Sequence, residues 1–317
     1  MKVGLDVMGG DNAPLSTIEG AILARKEMST EDTIVLIGDQ PTIEHYFEEH
    51  SINSDGFEII HSSEVIGMAE HPTKALKQKP NSSISIGFHL LRKGSISAFS
   101  SSGNTGAVLV GGIYSVGPIE GIMRPATAGV AARLDGGYNI LLDVGTNPDA
   151  KPDVLEQFGL LGKIYAETVF KIKSPKVGLL NIGEEEGKGN LVTKAAYQLM
   201  KDSTDYNFIG NVEGRDIFGN KADVIVCDGF TGNTLLKQME SFFYIIKKRN
   251  VNDEYFEKLN YENYGGTPVL GIKAPVLIGH GISNKIAIKN MILHSFEVAK
   301  ADMPKEIEKA LFNNREK

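Results

Sequence analysis

The residues from Ser100 to Gly106 have the types and spacing of an anion-binding loop. They follow the apolar run 96–99, which is typical of a strand, and precede the apolar run 107–110, which is typical of a helix. Glycine lets backbone N–H groups approach a ligand, the Ser, Asn and Thr side chains add short donors, and a helix start adds a partial positive charge. An ordinary helix cap with a tight turn has the same residue types. Similar loops elsewhere in the chain favour the phosphate-binding interpretation.

Candidate cations and a histidine follow other apolar runs. His280 lies between two glycines directly after the run 276–278, where an imidazole can take part in chemistry. Lys188, in a Gly-Lys-Gly turn, can neutralise an anion, and the guanidinium of Arg215 suits a phosphate or a carboxylate. Cations in exposed loops are commonly just solvated, so both interpretations stay open.

Two aspartates and the single cysteine lie at predicted strand ends. Asp143 and Asp228 can orient a substrate or act in acid–base chemistry, and they can equally cap helices. Cys227 ends the apolar run 224–226. We therefore predict a buried structural thiol at Cys227 rather than a nucleophile.

Strand-like runs, glycine-rich polar loops and helix-like runs alternate along the chain. The runs 2–7, 33–37, 139–144 and 176–182 each lead into such a loop. This alternation is typical of an α/β protein with a parallel sheet, in which ligands bind beyond the carboxyl ends of the strands. It predicts a single domain over residues 1–317 in which several polar loops converge.

Composition limits the classes of function. The chain has 317 residues, 35 glycines and a net charge of −7, and this acidity argues against non-specific nucleic-acid binding. One cysteine excludes an internal disulfide and fits a reducing compartment. Without an apolar run of membrane-spanning length or a signal-like start, we predict a cytoplasmic protein that does not span a membrane.

Several well-known motifs are missing. The chain lacks the dinucleotide-binding glycine fingerprint after its first strand, the Gly-Lys-Ser/Thr phosphate loop and the Gly-x-Ser-x-Gly elbow of serine hydrolases. No two of its histidines have a zinc-like spacing with Cys or carboxylate partners. We predict no metal and no cofactor.

An amphipathic stretch precedes a basic triplet. It is either a core or subunit-interface helix, or a surface that touches membrane or an acidic partner. The stretch leads into Lys247-Lys248-Arg249. Its apolar residues recur at helical spacing and are Leu235, Met239, Phe242, Phe243 and Ile246.

Eight short motifs are spread in order over nearly the whole chain. They are Met8-Gly9-Gly10-Asp11 with Pro14, Ser102-Gly103-Asn104-Thr105-Gly106, Arg124-Pro125-Ala126, Asp143-Val144-Gly145 with Asn147, Asn181-Ile182-Gly183-Glu184-Glu185, Gly210-Asn211-Val212-Glu213-Gly214-Arg215, Cys227-Asp228-Gly229-Phe230-Thr231-Gly232-Asn233, and Tyr264-Gly265-Gly266 with Gly279-His280-Gly281. Together they resemble the PlsX family, the phosphate acyltransferases of bacterial phospholipid synthesis.

The resemblance implies a three-layer αβα, Rossmann-like fold, similar to phosphotransacetylase and isocitrate dehydrogenase. It implies a homodimer, peripheral association with the inner face of the cytoplasmic membrane, and a long-chain acyl group moved from acyl carrier protein to inorganic phosphate. The acyl phosphate product would feed a glycerol-3-phosphate acyltransferase. The segment 234–261 is shorter than the usual amphipathic helices of the family.

The predicted site residues fall into two groups. We predict that Asn211 and His280 orient the thioester or protonate the leaving sulfur, that Lys188 and Arg215 offset the charge of phosphate, and that Asp228 is catalytic. Phosphate itself is predicted to bind two loops, which contribute Ser102, Gly103, Asn104, Thr105 and Gly106, and Thr231, Gly232 and Asn233.

Other functions compete with this prediction. The nearest is a phosphotransacetylase-like enzyme acting on short acyl-coenzyme A, which would use the same sheet and phosphate loops. A non-catalytic scaffold that recruits carrier protein and lipid enzymes is a second alternative. A dehydrogenase would have to bind a nicotinamide cofactor.

Overall fold

The computed structural model describes residues 1–315, and the side chains of residues 1–312. The chain forms two compact units. The first unit consists of Met1–Pro118 and Glu262–Asp302. The second consists of Ile119–Tyr261 and the segment that begins at Met303. The predicted single domain over residues 1–317 stays a prediction.

Strands and helices alternate in both units. The strands are β1 (Lys2–Asp6), β2 (Thr33–Gly38), β3 (Phe57–His61), β4 (Ala98–Ser101), β5 (Ala126–Ala132), β6 (Tyr138–Leu142), β7 (Lys176–Leu180), β8 (Asn207–Val212), β9 (Val224–Val226), β10 (Thr267–Leu270) and β11 (Val276–Ile278). The helices are α1 (Leu15–Arg25), α2 (Gln40–Glu49), α3 (Pro72–Gln78), α4 (Ser83–Arg92), α5 (Thr105–Gly111), α6 (Pro152–Thr168), α7 (Leu191–Asp202), α8 (Gly229–Lys248), α9 (Glu254–Glu257), α10 (Lys285–Lys300) and α11 (Met303–Arg315).

The sheet of the first unit has the order β3-β2-β1-β4-β11-β10. Its strands are parallel except β10, which runs antiparallel to β11. Val3 and Leu5 of β1 are fully buried, as are Leu36 and Phe99 on other strands. Strands covered by helices on both faces have such continuous apolar sequences. Because β4 is paired in parallel with both β1 and β11, the carboxyl ends of these three strands lie side by side.

The sheet of the second unit has the order β5-β6-β9-β7-β8. Its strands are parallel except that β5 and β6 are antiparallel to each other. Helix α6 packs on this sheet so closely that a Cβ atom on Gly162 would lie 2.4 Å from the side chain of Val224. Phe158 and Leu161 on the same helix are fully buried. The carboxyl ends of β6, β7, β8 and β9 form one edge of this sheet.

The sequence predicted the α/β class correctly and missed both antiparallel pairs. Strand β5 was not predicted because its sequence, ATAGVAA, is rich in alanine and glycine, which are depleted in strands. Strand β10 has only four residues. Ser100 and Ser101, predicted as loop, are the last residues of β4. Among the described residues, no helix is both long enough and apolar enough to cross a lipid bilayer.

Candidate active site

Three glycine-containing segments of the first unit meet beyond the ends of their strands. They are 8–11 after β1, 102–106 after β4 and 279–281 after β11, and we call them the first loop cluster. The backbone N–H of Asp11 donates to the carbonyl of Gly281 at 2.7 Å. The predicted convergence of these loops is therefore observed in the first unit.

Glycine is required where these segments touch. A Cβ atom on Gly9 would lie 2.6 Å from the backbone nitrogen of Gly103, and one on Gly279 would lie 2.2 Å from the hydroxyl of Ser102. Both distances are shorter than real Cβ contacts. The chain can pack the three segments together only because these side chains are absent.

A buried aspartate that the sequence analysis did not single out holds this cluster together. The Asp6 carboxylate accepts hydrogen bonds from the backbone N–H of Met8 at 3.0 Å and from the hydroxyl of Ser101 at 2.6 Å. The Ser101 oxygen in turn accepts from the N–H of Gly103 at 3.0 Å. Burial raises the pKa of Asp6. The sequence signal was a single acidic residue ending an apolar strand.

Asn104 fixes the start of helix α5. Its side-chain oxygen accepts from the N–H of Ala107 at 2.9 Å. Its amide nitrogen lies 2.9 to 3.1 Å from the carbonyl oxygens of Gly67, Met68 and Glu70. An amide has two N–H donors, and the protein supplies acceptors for both, so neither is left for an anion. Asn104 shapes the loop rather than presenting its carboxamide to a ligand.

The backbone N–H groups of Thr105 and Gly106 have no acceptor within the part of the chain that the structure describes. Thr105 is exposed and Gly106 half-buried, whereas Ser102 is 1% exposed. A Cβ atom on Gly106 would lie 2.4 Å from the ring of Pro72. These two N–H groups are donors that an anion can use.

His280 belongs to the same cluster. Its side chain is half-buried, and its backbone carbonyl accepts from the N–H of Ser283 at 3.0 Å. The structure thus brings His280 together with the predicted phosphate loop 102–106 in one unit. Its predicted role in orienting the thioester or protonating sulfur stays a prediction.

In the second unit, the segments 143–147 and 227–233 form a second loop cluster. The N–H of Asp143 donates to the carbonyl of Cys227 at 2.9 Å. A Cβ atom on Gly232 would lie only 1.9 Å from the backbone oxygen of Asp143, so Gly232 is needed for close packing. Asn233 lies at the rim, beside Gly145.

Asp143 is fully buried and serves as the anchor of this second cluster. Its carboxylate accepts two hydrogen bonds from Thr127, one each from the N–H groups of Gly145 and Thr146, and two from Asn147. A carboxylate has about four lone-pair positions, so these donors leave no place for a substrate. Of the two roles that the sequence left open for Asp143, these contacts favour the structural one.

Asp228 is the N-cap of helix α8. Its carboxylate accepts from the N–H of Thr231 at 2.8 Å and from the Thr231 hydroxyl at 2.9 Å. Cys227 next to it is 4% exposed, and burial raises the pKa of its thiol. The predicted buried thiol is therefore confirmed. A neutral thiol in this environment is a poor nucleophile.

Asn211 positions a neighbouring loop. It is 2% exposed, and its amide donates to the carbonyl of Glu185 at 2.9 Å. Its side-chain oxygen accepts from the amide of Asn181 at 3.1 Å, and that amide also lies 3.2 Å from the Lys188 carbonyl. Asn211 thereby supports the 181–190 loop, and its predicted contact with the thioester is not tested.

The two predicted cations of the second unit both have carboxylate neighbours. Arg215 is exposed and forms an ion pair with Glu213 at 2.6 Å and a longer one with Glu184 at 3.7 Å. The Lys188 ammonium lies 4.0 Å from Glu185. Their charges are thus partly offset within the protein, and their predicted roles with phosphate stay predictions.

A cavity of about 650 Å³ opens in the second unit at the carboxyl ends of β7 and β9. Asp228 and Thr231 are the predicted site residues that line it. Most of its accessible lining is apolar. The apolar side chains include Leu155, Leu179, Leu180, Ile182, Val192 and Leu235.

Comparison with solved structures defines the class. A phosphotransacetylase from Streptococcus pyogenes matches with a TM-score of 0.68 at 15% identity, covering 95% of this chain and 94% of that chain. A branched-chain phosphotransacylase from Enterococcus faecalis V583 matches with a TM-score of 0.64 at 13% identity, covering 94% and 99%. Identities this low show the fold alone, and they confirm the predicted phosphotransacetylase-like α/β fold.

Sequence relatives define the family. A family model described as fatty acid synthesis protein matches residues 1–306. The phosphate acyltransferase of Dictyoglomus turgidum is 42% identical over 330 residues, covering 97% of this chain and 96% of the relative. That of Brevibacillus brevis is 38% identical, covering 99% and 98%. The chain belongs to this family, the PlsX phosphate acyltransferases of fatty acid and phospholipid synthesis, which confirms the resemblance.

Proposed function

We propose that this protein transfers a long-chain acyl group from acyl carrier protein to inorganic phosphate, giving acyl phosphate and free carrier protein. The observation that carries the proposal is the first loop cluster, where the N–H groups of Thr105 and Gly106 are open to an anion. Asp6 and Asn104 hold this loop in place through buried hydrogen bonds. Membership of an acyltransferase family supports the assignment of the reaction.

The reaction requires no covalent enzyme intermediate. A phosphate oxygen attacks the carbonyl carbon of the thioester, a new C–O bond forms, and the C–S bond breaks as the electron pair leaves with sulfur. A proton then neutralises the thiolate on the carrier protein. Holding both reactants in line can contribute several kcal/mol, and each well-placed oxyanion donor contributes about 3 kcal/mol.

The two loop clusters have different roles in this proposal. The first binds phosphate through backbone donors, with His280 nearby as the group for the leaving sulfur. The apolar cavity of the second unit suits the acyl chain, since a ligand site needs a mostly apolar surface with a few polar groups. The role of Thr231, Gly232 and Asn233 in binding phosphate stays a prediction.

The test is thiol release from palmitoyl acyl carrier protein, with and without inorganic phosphate, with acyl phosphate measured as the product. Release that depends on phosphate and yields acyl phosphate is expected. Turnover of acetyl-coenzyme A without turnover of the carrier-protein substrate would instead favour a phosphotransacetylase. A protein inactive with both substrates would favour the scaffold.

Homodimer formation, membrane association and delivery to a glycerol-3-phosphate acyltransferase are further parts of the proposal. Helix α8 exposes Phe230, Tyr244 and Ile245, which gives it an apolar surface of the kind that partners or lipids cover. Flotation with anionic vesicles measures the membrane part directly. A protein that stays at the bottom of the gradient at low salt would contradict it.

A further inference from the structure

A second cavity, of about 610 Å³, lies in the first unit, away from the glycine loops. It is a groove bordered by α3, α4 and the end of α5 with the π-helical turn Gly112–Val116 that follows. π-Helical turns are rare in proteins, and many of those that occur lie at functional sites. We call this cavity the α3–α4 groove.

Three basic side chains line the α3–α4 groove. Lys77 on α3 and His89 and Arg92 on α4 are exposed, and none of them forms an ion pair or side-chain hydrogen bond with any described residue. Among the residues that the structure describes, none of those lining the groove is acidic. In a chain of net charge −7, counted with neutral histidines, the two cations Lys77 and Arg92 give this groove a local surface of the opposite sign.

The dipoles of the two helices account for only part of this arrangement. Lys77 lies in the last turn of α3, and His89 and Arg92 lie in the last turn of α4. A cation in that position stabilises an exposed helix by about 0.3–1 kcal/mol. The helix dipoles explain why each cation lies at a helix end. They do not explain why cations from two helices line the same groove, or why no described carboxylate lines it.

The floor of the α3–α4 groove is apolar. Leu76 and Ile86 are half-buried and pack against the core around Phe88. Tyr114 at the rim is 81% exposed. An apolar floor with a basic rim is complementary to an amphipathic helix whose polar face is acidic.

The groove is connected to the first loop cluster through two helices. Helix α5 begins at the 102–106 loop, and Gly111, which lines the groove, follows Asn104 by seven residues, or about 10 Å along a helix. Helix α3 begins at Pro72, which contacts Gly106 of the same loop. A partner bound in the groove therefore lies within a short reach of the proposed phosphate site.

We infer that the α3–α4 groove is the docking surface for the carrier protein, which binds it through a helix with an acidic face. This inference rests on the proposed function. It places the docking surface away from Lys247-Lys248-Arg249, the basic triplet at which the sequence left contact with an acidic partner open. There Lys247 already pairs with Glu257 and lies over the ring of Phe243.

The test compares two double variants with equal changes of charge. Lys77→Glu with Arg92→Glu reverses two charges in the groove. Lys74→Glu with Lys93→Glu reverses two charges at α3 and the end of α4, at exposed positions that do not line the groove. The KM for palmitoyl acyl carrier protein is expected to rise about tenfold in the groove variant only, with kcat and the KM for palmitoyl-coenzyme A unchanged.

Direct binding of the carrier protein, measured by fluorescence anisotropy, separates this inference from the proposed function. Binding to the wild type that is lost in the groove variant and kept in the matched control supports the inference, even if the wild type turns over neither substrate. Equal binding by both variants, or no binding to the wild type, would overturn it. A groove variant that changes oligomeric state and loses activity with both substrates would show an interface between copies instead.

Discussion

The starts of helices α5 and α8 share a sequence pattern and differ in chemistry. Both follow a buried strand, both contain glycines in the first turn, and both are capped by an Asx residue. The cap of α5 is the neutral Asn104, whereas the cap of α8 is Asp228, which carries a carboxylate.

The backbone donors of the two helices are used differently. At α8, the N–H of Gly229 donates to Asn147 and the N–H of Thr231 donates to the cap, while at α5 two first-turn N–H groups have no acceptor among the described residues. At α8 one first-turn N–H group, that of Phe230, has no acceptor among the described residues, against two at α5. Open donors and a neutral cap both favour an anion at a helix start, so the start of α5 is the better candidate phosphate site.

The largest effect is expected from Gly106→Ala. Its Cβ atom would lie 2.4 Å from the Pro72 ring, so the 102–106 loop must shift, and kcat/KM for phosphate should fall about 100-fold. Gly187→Ala, where nothing lies within 4 Å of the added atom, is the control and should keep activity. Comparable losses in both variants would show that the loss is not specific to this loop.

The second largest effect is expected when α5 is given an aspartate cap like that of α8. Asn104→Asp places a carboxylate beside the open N–H groups and should raise the KM for phosphate at least tenfold. Asn104→Ala removes the same amide donors without adding charge, so it should raise this KM less, while a lost cap lowers stability by about 1 kcal/mol. Equal KM values for phosphate in the two variants would show that the added negative charge does not weaken phosphate binding.

The reciprocal change should leave phosphate binding nearly unaltered. Asn is as good a cap as Asp, so Asp228→Asn keeps helix α8 and removes only the negative charge. The KM for phosphate should stay within about twofold, and any change should appear in the KM for the acyl substrate. A large rise in the phosphate KM would show that the second loop cluster holds phosphate after all.

The smallest effect is expected at Cys227. Cys227→Ser should keep most of the activity, because phosphate is the nucleophile in the proposed reaction and the thiol is buried. Burial raises the pKa of this thiol in the folded protein, so the unfolded state loses the thiol proton at a lower pH than the folded state does. The free energy of unfolding therefore falls as the pH rises above the ordinary pKa of a thiol.

Thermal unfolding measures this pH dependence. The Tm of the wild type should fall more steeply than that of Cys227→Ser between about pH 8 and about pH 10. Parallel curves would show that the thiol contributes nothing to the pH dependence. Loss of turnover in a folded Cys227→Ser protein would reopen the question of a thiol nucleophile.

The sequence predicted the elements well and the anchoring contacts poorly. The predicted runs 2–7 and 33–37 match β1 and β2 to within one residue, because apolar runs and their flanking residues are local signals. Asp6 was missed, since its partner Ser101 lies 95 residues away in the chain. The same limit hid the contacts by which Asn104 and Asn211 hold loops through partners that lie 30 or more residues away in the chain. Only the structure distinguishes a side chain that binds a ligand from one that holds a loop.

Residues 119–261 of the second unit separate the two segments of the first unit in the chain, and this has a consequence for synthesis on the ribosome. The second sheet has all its strands once Val226 has been made, but the first still lacks β10 and β11, which end at Ile278 roughly fifty residues later. At about 5–20 residues per second this is a delay of roughly 3–10 seconds. Gly281, which closes the first loop cluster, is made after both strands, so a nascent chain can assemble the proposed phosphate site only after residue 281 has been added.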